Sequence, residues 1–346
     1  MSELPSRYRK QILFDGIGEE GQRCICTGRA LVVGCGALGS VIADQLVRAG
    51  VGFVRIVDRD FVDITNLQRQ VLYDERDVES QLPKAIAAAN KLRHINSTIT
   101  IEPHVADVNH TNIRDLAEGV DVIVDGTDNF EVRFLINDVA LETRTPWVNG
   151  GCVGTHGQVM AIVPGVTACL RCLMEDVPDP GTTETCDTAG VIGPAVNIVA
   201  SLQVVESLKI LSGQRNLIEP VLTILDVWDG SYRRLKMDGL SERTQCPACV
   251  GGERLWLNGD RGSRTTILCG RNAVQFSPSE PGELSLPDLA SRLQESGEVT
   301  QNAFLLRLRI GEPEREITVF RDGRAIITGT EDLAEARGLY ARYIGH

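Results

Sequence analysis

Four cysteines fall in two C-x-x-C pairs, Cys169-Leu-Arg-Cys172 and Cys246-Pro-Ala-Cys249. Four thiolates complete a tetrahedral Zn²⁺ shell with no other ligand, so the set predicts a structural zinc that ties together segments far apart in sequence. A second constellation starts at Gly34-Cys-Gly36-Ala37-Leu-Gly39, which fits G-x-G-x-x-G between an apolar run and a segment with helical periodicity. Glycines there permit a tight turn, and the N–H groups at the helix start offer an anion site for phosphates. Asp58 closes the next apolar run at the spacing of a carboxylate that meets a ribose. Asp60 and the polar stretch Thr65-Asn66-Leu67-Gln68-Arg69-Gln70 follow, then Lys84 at a helix start and Thr127-Asp128-Asn129 just past the run DVIVD. Arg69 and Lys84 can neutralise phosphate oxygens, and Asp128 can offer Mg²⁺ the hard oxygen it prefers. Attack of a carboxylate on a polyphosphate demands such neutralisation and an in-line arrangement.

Two other readings compete. An NAD-dependent dehydrogenase would explain the glycine turn and Asp58 but would leave Arg69, Lys84 and Asp128 without work. A non-catalytic dinucleotide- or nucleotide-binding protein would need none of the three. Cys186 stands apart from both cysteine pairs, in a long Pro/Thr/Asp-rich connection over about 175–190. An accessible thiolate there suits a nucleophile that meets a partner. Cys24, Cys26, Cys35, Cys152 and Cys269 are expected to be buried small residues.

The elements that must position these residues alternate strand and helix. Strands are expected at 30–34, 53–58, 98–104, 121–125 and 146–149, with helices after Gly36, over 84–92 and over 130–143. That order predicts an α/β fold with a doubly wound, mostly parallel Rossmann-like sheet, whose carboxyl edge gathers the charged residues. Beyond Gly150 strand-like alternation, an apolar helix over 195–212 and two strands near 221–236 complete a first domain spanning 1–250. Residues 251–264, rich in glycine and charge, are expected to be a linker, and 265–346 a small α+β domain suited to binding protein.

The chain has 346 residues, 42% hydrophobic and 24% charged, with a formal net charge of −12. That charge argues against nucleic acid or a membrane surface as partner. No run of about 18 uninterrupted apolar residues and no apolar leader stand in the sequence, so a cytoplasmic protein is expected. Ten cysteines in such a chain point to metal binding or catalysis rather than disulfides.

The run from Asp58 to Gln70, with RYRKQI near the start, Lys84, Gly126-Thr127-Asp128-Asn129, Cys186-Asp-Thr-Ala-Gly and the two cysteine pairs, resembles the ThiF/MoeB family, relatives of ubiquitin-activating enzymes. The resemblance covers about residues 5–250. It implies a nucleotidyltransferase that uses ATP and Mg²⁺ to adenylate the C-terminal glycine of a small ubiquitin-like sulfur-carrier protein ending in Gly-Gly. It assigns Asp58 to the ribose, Asn66 and Arg69 to the phosphates, Lys84 to the transition state and Asp128 to Mg²⁺, and it implies a homodimer. A sulfurtransferase or cysteine desulfurase is the expected partner in the later sulfur step. The residues after Cys186 favour a ThiS-like carrier of thiamine thiazole formation over a MoaD-like carrier of molybdenum cofactor synthesis. The family's second N-terminal arginine, which resembles a finger reaching the partner subunit's site, is Lys10 here, beside Arg9. Either cation could serve, although a lysine lacks the guanidinium fork.

Overall fold

The computed structural model describes residues 4–178, 189–261, 265–268, 272–276, 284–311 and 314–344. Two compact units divide the chain, Met1–Arg261 and Gly262–His346.

The first unit is built on an eight-stranded sheet of order β3-β2-β1-β4-β5-β6-β7-β8. Its strands are β1 Arg29–Val33, β2 Phe53–Asp58, β3 Thr100–Val105, β4 Val122–Asp125, β5 Trp147–Val153, β6 His156–Ile162, β7 Val221–Asp226 and β8 Ser231–Lys236. β1 to β5 run parallel, and β6 to β8 continue antiparallel from β5. Longer helices are α1 Gly18–Thr27, α2 Ala37–Ala49, α3 Lys84–Ile95, α4 Phe130–Thr143 and α5 Gly193–Leu211.

Alternation along the parallel strands fills two cores, one on each face of the sheet. Ala30, Val32, Val54, Ile56, Val122 and Val124 join the apolar sides of α2, α3 and α5. Leu31, Val33, Val57, Ile123 and Trp147 join α4 and the segment around Trp256 on the other face. The helices stop where local chemistry requires. Gly50 caps α2 in the left-handed region at φ 88°, and the Asn129 side chain accepts the N–H of Glu131 at 2.8 Å to start α4. α5 has the length and apolarity to cross a membrane, yet it is half buried and packs on β4, β5 and β6 as a core helix.

The expected linker over 251–264 is corrected in its central part. Trp256 and Leu257 are buried in the second core, Trp256 stacks on Phe134 at 4.3 Å, and the Asp138 carboxylate accepts the main-chain N–H of both residues at 3.0 and 3.3 Å. Two apolar side chains and a carboxylate anchor thus outweigh the local glycine and charge.

The second unit is an antiparallel six-stranded sheet of order β11-β12-β13-β14-β10-β9, with helices α6 Leu286–Leu293 and α7 Leu333–Tyr343. Its strands are β9 Thr265–Leu268, β10 Ala273–Phe276, β11 Glu298–Gln301, β12 Leu305–Ile310, β13 Arg315–Phe320 and β14 Ala325–Thr328. Leu306, Leu308, Ile317, Val319 and Ile327 form its core with Leu289, Leu293 and Ala336 from the helices.

Candidate functional site

β1 ends in the glycine turn. Gly34, at φ 83°, donates its N–H to Val57 O at 2.8 Å, which locks the turn to β2. A Cβ on Gly39 or on Gly126 would fall on Gly34 O, so the turn, the start of α2 and the exit of β4 touch through main chain alone. A Cβ on Gly36 would meet only the Gln70 amide, at 3.8 Å, which leaves room above the turn. Ala37 opens α2 directly behind it.

β2 delivers Asp58 to the same edge. Its two oxygens accept the N–H groups of Cys35 at 2.6 Å and Asp60 at 2.7 Å, so the carboxylate is fixed and each oxygen keeps a further lone pair. Burial raises its pKa while Lys84 pulls the other way. The thiol of Cys35 is pushed up to about 12 by burial and by Asp58, so it is inert. Asp60 holds Lys84 twice: its carbonyl accepts the Lys84 N–H at 2.9 Å, and its carboxylate lies 3.2 Å from Nζ. Lys84 is 3% exposed, so this cation is fixed rather than solvated.

Thr65, Asn66, Leu67, Gln68 and Arg69 form a short turn between β2 and α3. Asp63 caps it through Thr65, Asn66 is buried, and Arg69 Nη1 donates to Thr65 O at 2.9 Å. Leu67 packs on the first core, while Gly193 at the start of α5 lies against Gln68 O, where a Cβ would approach to 3.2 Å.

The exit of β4 presents Asp128. Thr127 is tied to Asp125, Asn129 caps α4, and between them Asp128 is exposed with no hydrogen-bond partner among the described residues. Sequence reasoning missed what holds this loop. Arg133, 8% exposed, meets Asp125 at 3.0 Å and donates to Thr127 O at 2.8 Å and Gly150 O at 3.0 Å. Burial raises the Asp125 pKa and Arg133 opposes that shift. Gln203 of α5 donates to Asp125 O at 2.7 Å from the opposite face. A second missed group is Arg59, which meets Asp107 at 2.9 Å; burial disfavours its charge, but Asp107, Asp60 and Asp128 outweigh that and raise its pKa. The signal for both was an arginine within an otherwise apolar or acidic run.

Arg9 and Lys10 are not brought to this site by their own chain. Both are exposed on a short helix Arg9–Ile12, next to Tyr8, which packs against Gly50 and accepts from Asn96 Nδ2 at 2.9 Å. Gly50 and Asn96 mark the ends of α2 and α3 at the amino edge of the sheet, one strand length away from Asp58, roughly 20 Å.

Cys169, Cys172, Cys246 and Cys249 converge, with all four sulfurs within 4.8 Å of one another. The separations of 3.6 Å between Cys169 and Cys246, 3.5 Å between Cys172 and Cys249 and 3.8 Å between Cys169 and Cys172 are close to the edge of a tetrahedron. For metal–sulfur bonds of ~2.3 Å that edge is about 3.8 Å, so the donor set fits zinc. Asn137 Oδ1 accepts the Leu170 N–H at 2.9 Å and seats the first pair. Asn137 is eight residues along α4 from Asn129, about 12 Å, which separates the cluster from Asp128. Cys186 and Cys269 lie outside the described residues. Of the other cysteines only Cys35 is fully buried; Cys24, Cys26 and Cys152 are half-buried, which corrects the expectation for them.

The sequence model of the ThiF family matches residues 8–248. The sulfur carrier protein ThiS adenylyltransferase of Bacillus subtilis (strain 168) is 43% identical over 343 residues, covering 99% of this chain and 100% of that protein. The sulfur carrier protein adenylyltransferase of Thermus thermophilus is 34% identical over 248 residues, 70% of this chain and 90% of that protein. Among solved structures, Escherichia coli MccB matches with a TM-score of 0.59 at 22% identity over 68% of this chain and 70% of that one, a likeness of fold. Sequence motifs, sheet order and relatives agree, and the chain belongs to the ThiF family.

Proposed function

We propose that this protein is a nucleotidyltransferase that adenylates the C-terminal carboxylate of a small ubiquitin-like sulfur-carrier protein, as the names of its relatives in Bacillus subtilis and Thermus thermophilus describe those proteins. The observation that carries this reading is the convergence, on one sheet edge, of a glycine turn, the fixed Asp60–Lys84 pair, Arg69 and the exposed carboxylate of Asp128. A sensor of nucleotides has no need of Lys84 held at 3% exposure against an acid.

In this reading the turn of Gly34, Gly36, Ala37 and Gly39 receives phosphates and Asp58 receives the ribose. Asn66 and Arg69 hold phosphate oxygens. Lys84 balances charge as the carrier's carboxylate oxygen bonds to the α-phosphorus and the bond to pyrophosphate breaks, leaving an acyl-adenylate. Mg²⁺ held at Asp128 would neutralise the polyphosphate. Opposite charges on rigid supports suit this work because they need no reorganisation as charge develops.

The position of Arg9 and Lys10 at the far edge supports a homodimer in which one of them serves the partner's site. The four-cysteine cluster, distant from Asp128, supports a structural zinc. Cys186 is assigned the later transfer of the activated carboxylate; four residues after it, Gly190 is anchored by accepting the Gly154 N–H at 2.8 Å. The Bacillus subtilis relative is matched over 99% of this chain, which supports the thiazole-type carrier.

ATP–pyrophosphate exchange measured with purified carriers ending in Gly-Gly tests the reading. Exchange that appears only with such a carrier supports it, and no exchange with any of them sinks it.

A further inference from the structure

Because β2 lies between β1 and β3, the carboxyl edge runs from the glycine turn, past Asp58, to the segment that follows β3. The two strand spacings cover roughly 10 Å. A nucleotide with its phosphates at the turn and its ribose at Asp58 therefore presents its base to the exit of β3.

Arg59 and Asp107 stand there. Arg59 Nη1 donates to Asp107 Oδ1 at 2.9 Å, and its Nε lies 3.8 Å from Asp60. The loop behind Asp107 is built to hold still. Asp107 O accepts Nδ2 of Asn109 at 3.1 Å and of Asn112 at 2.8 Å, and Asn112 Oδ1 accepts the Asn109 N–H at 3.0 Å. The two side chains are 21% and 19% exposed, anchored yet within reach of a ligand.

We propose that Arg59 and Asp107 read the nucleobase, with the Arg59 guanidinium against the face of a purine and the Asp107 carboxylate accepting from its 6-amino group. A planar guanidinium favours a π face. A carboxylate only accepts, so it takes the amino group of adenine and repels the carbonyl oxygen that guanine carries at the same place. The hydrogen bond from Arg59 orients Asp107 for that choice. This inference rests on the ATP reading above and names the specificity-determining residues of that site.

Calorimetric binding of ATP and of GTP to the full-length, zinc-loaded chain, without a carrier, tests it. Arg59→Met and Arg59→Lys are both expected to weaken ATP binding about tenfold, since neither supplies a plane. In exchange assays the loss falls on KM for ATP rather than on kcat. Asp107→Asn, whose amide can also donate, is expected to narrow the preference for ATP over GTP about tenfold. Melting curves establish that each variant is folded. Folded variants with wild-type ATP affinity and wild-type ATP-over-GTP preference overturn the proposal. A wild-type chain that binds ATP but exchanges no pyrophosphate with any carrier refutes adenylation and leaves the base-reading measurement decisive on its own.

Discussion

Asp60 binds Lys84 through both its main chain and its side chain, at 2.9 Å to the N–H and 3.2 Å to Nζ. The carbonyl contact fixes the start of α3, and the carboxylate fixes the cation. Asp60→Asn keeps the first and removes the charge of the second. Pyrophosphate exchange is expected to fall about tenfold, with a stability loss of about 1–3 kcal/mol from the weakened partner of a buried charge. Exchange at the wild-type rate in this variant would show that the position of Lys84 does not depend on the acid.

Asp128→Ala is expected to lower exchange by at least ~100-fold while changing stability by less than about 0.5 kcal/mol. The side chain is exposed, and the clamps of its loop belong to Thr127, Asn129 and Arg133. Denaturant melts alongside the exchange assay check both halves, and a near-normal rate would remove Asp128 from the reaction.

One zinc per chain is expected by metal analysis. Cys246→Ser, or a strong chelator, should lower the melting temperature of the first unit by more than ~10 °C, because the cluster joins sites 77 residues apart. Acid should release the metal, since protons compete for the four thiolates. Purified protein without zinc and with four freely titrating thiols would contradict the assignment.

Cys186→Ala is expected to separate activation from transfer. Exchange should persist, because the residues at the sheet edge need no thiol. The variant should accumulate carrier adenylate and lose any covalent adduct seen by intact mass before reduction. Identical adducts and identical yields of thiocarboxylated carrier in wild type and variant would make the cysteine incidental.

Asp138 gives a pH signature. Burial raises its carboxyl to about 6, against N–H bonds from Leu257 and Trp256. The folded state therefore holds a proton that the unfolded chain has already released, so this group adds stability as pH falls from about 6 towards 4 and withdraws it as pH rises. Its contribution across that window is about 2–3 kcal/mol. Urea melts of wild type and Asp138→Asn at pH 7 and pH 5 check this: the wild type should gain on the variant at the lower pH, and parallel changes would refute it.

The glycine turn, Asp58, Lys84, Asp128 and the cysteine pairs were legible because each is a short motif whose chemistry dictates its spacing. So was the α/β order, since every parallel strand is an apolar run followed by a helical period. Arg133 was hidden because a charged residue on a helix ordinarily reads as solvated, and its three partners come from Asp125, Thr127 and Gly150, separated along the chain. The anchoring of Trp256 and Leu257 was hidden for the same reason: Asp138 and Phe134, which fix Trp256, lie more than a hundred residues earlier. β10, β11 and β12 of the second unit carry short, mixed patterns that only their pairing defines.

The contact of Gly34, Gly39 and Gly126 through main chain alone has a mechanical consequence. Joints made of side chains yield by changing rotamer, whereas this one has no rotamers to change. The turn and the Asp128 loop must therefore behave as a single stiff jaw. Compliance needed to admit a bulky protein tail has to come from side-chain contacts along the edge, such as the bond from Arg69 to Thr65 O, which can exchange partners.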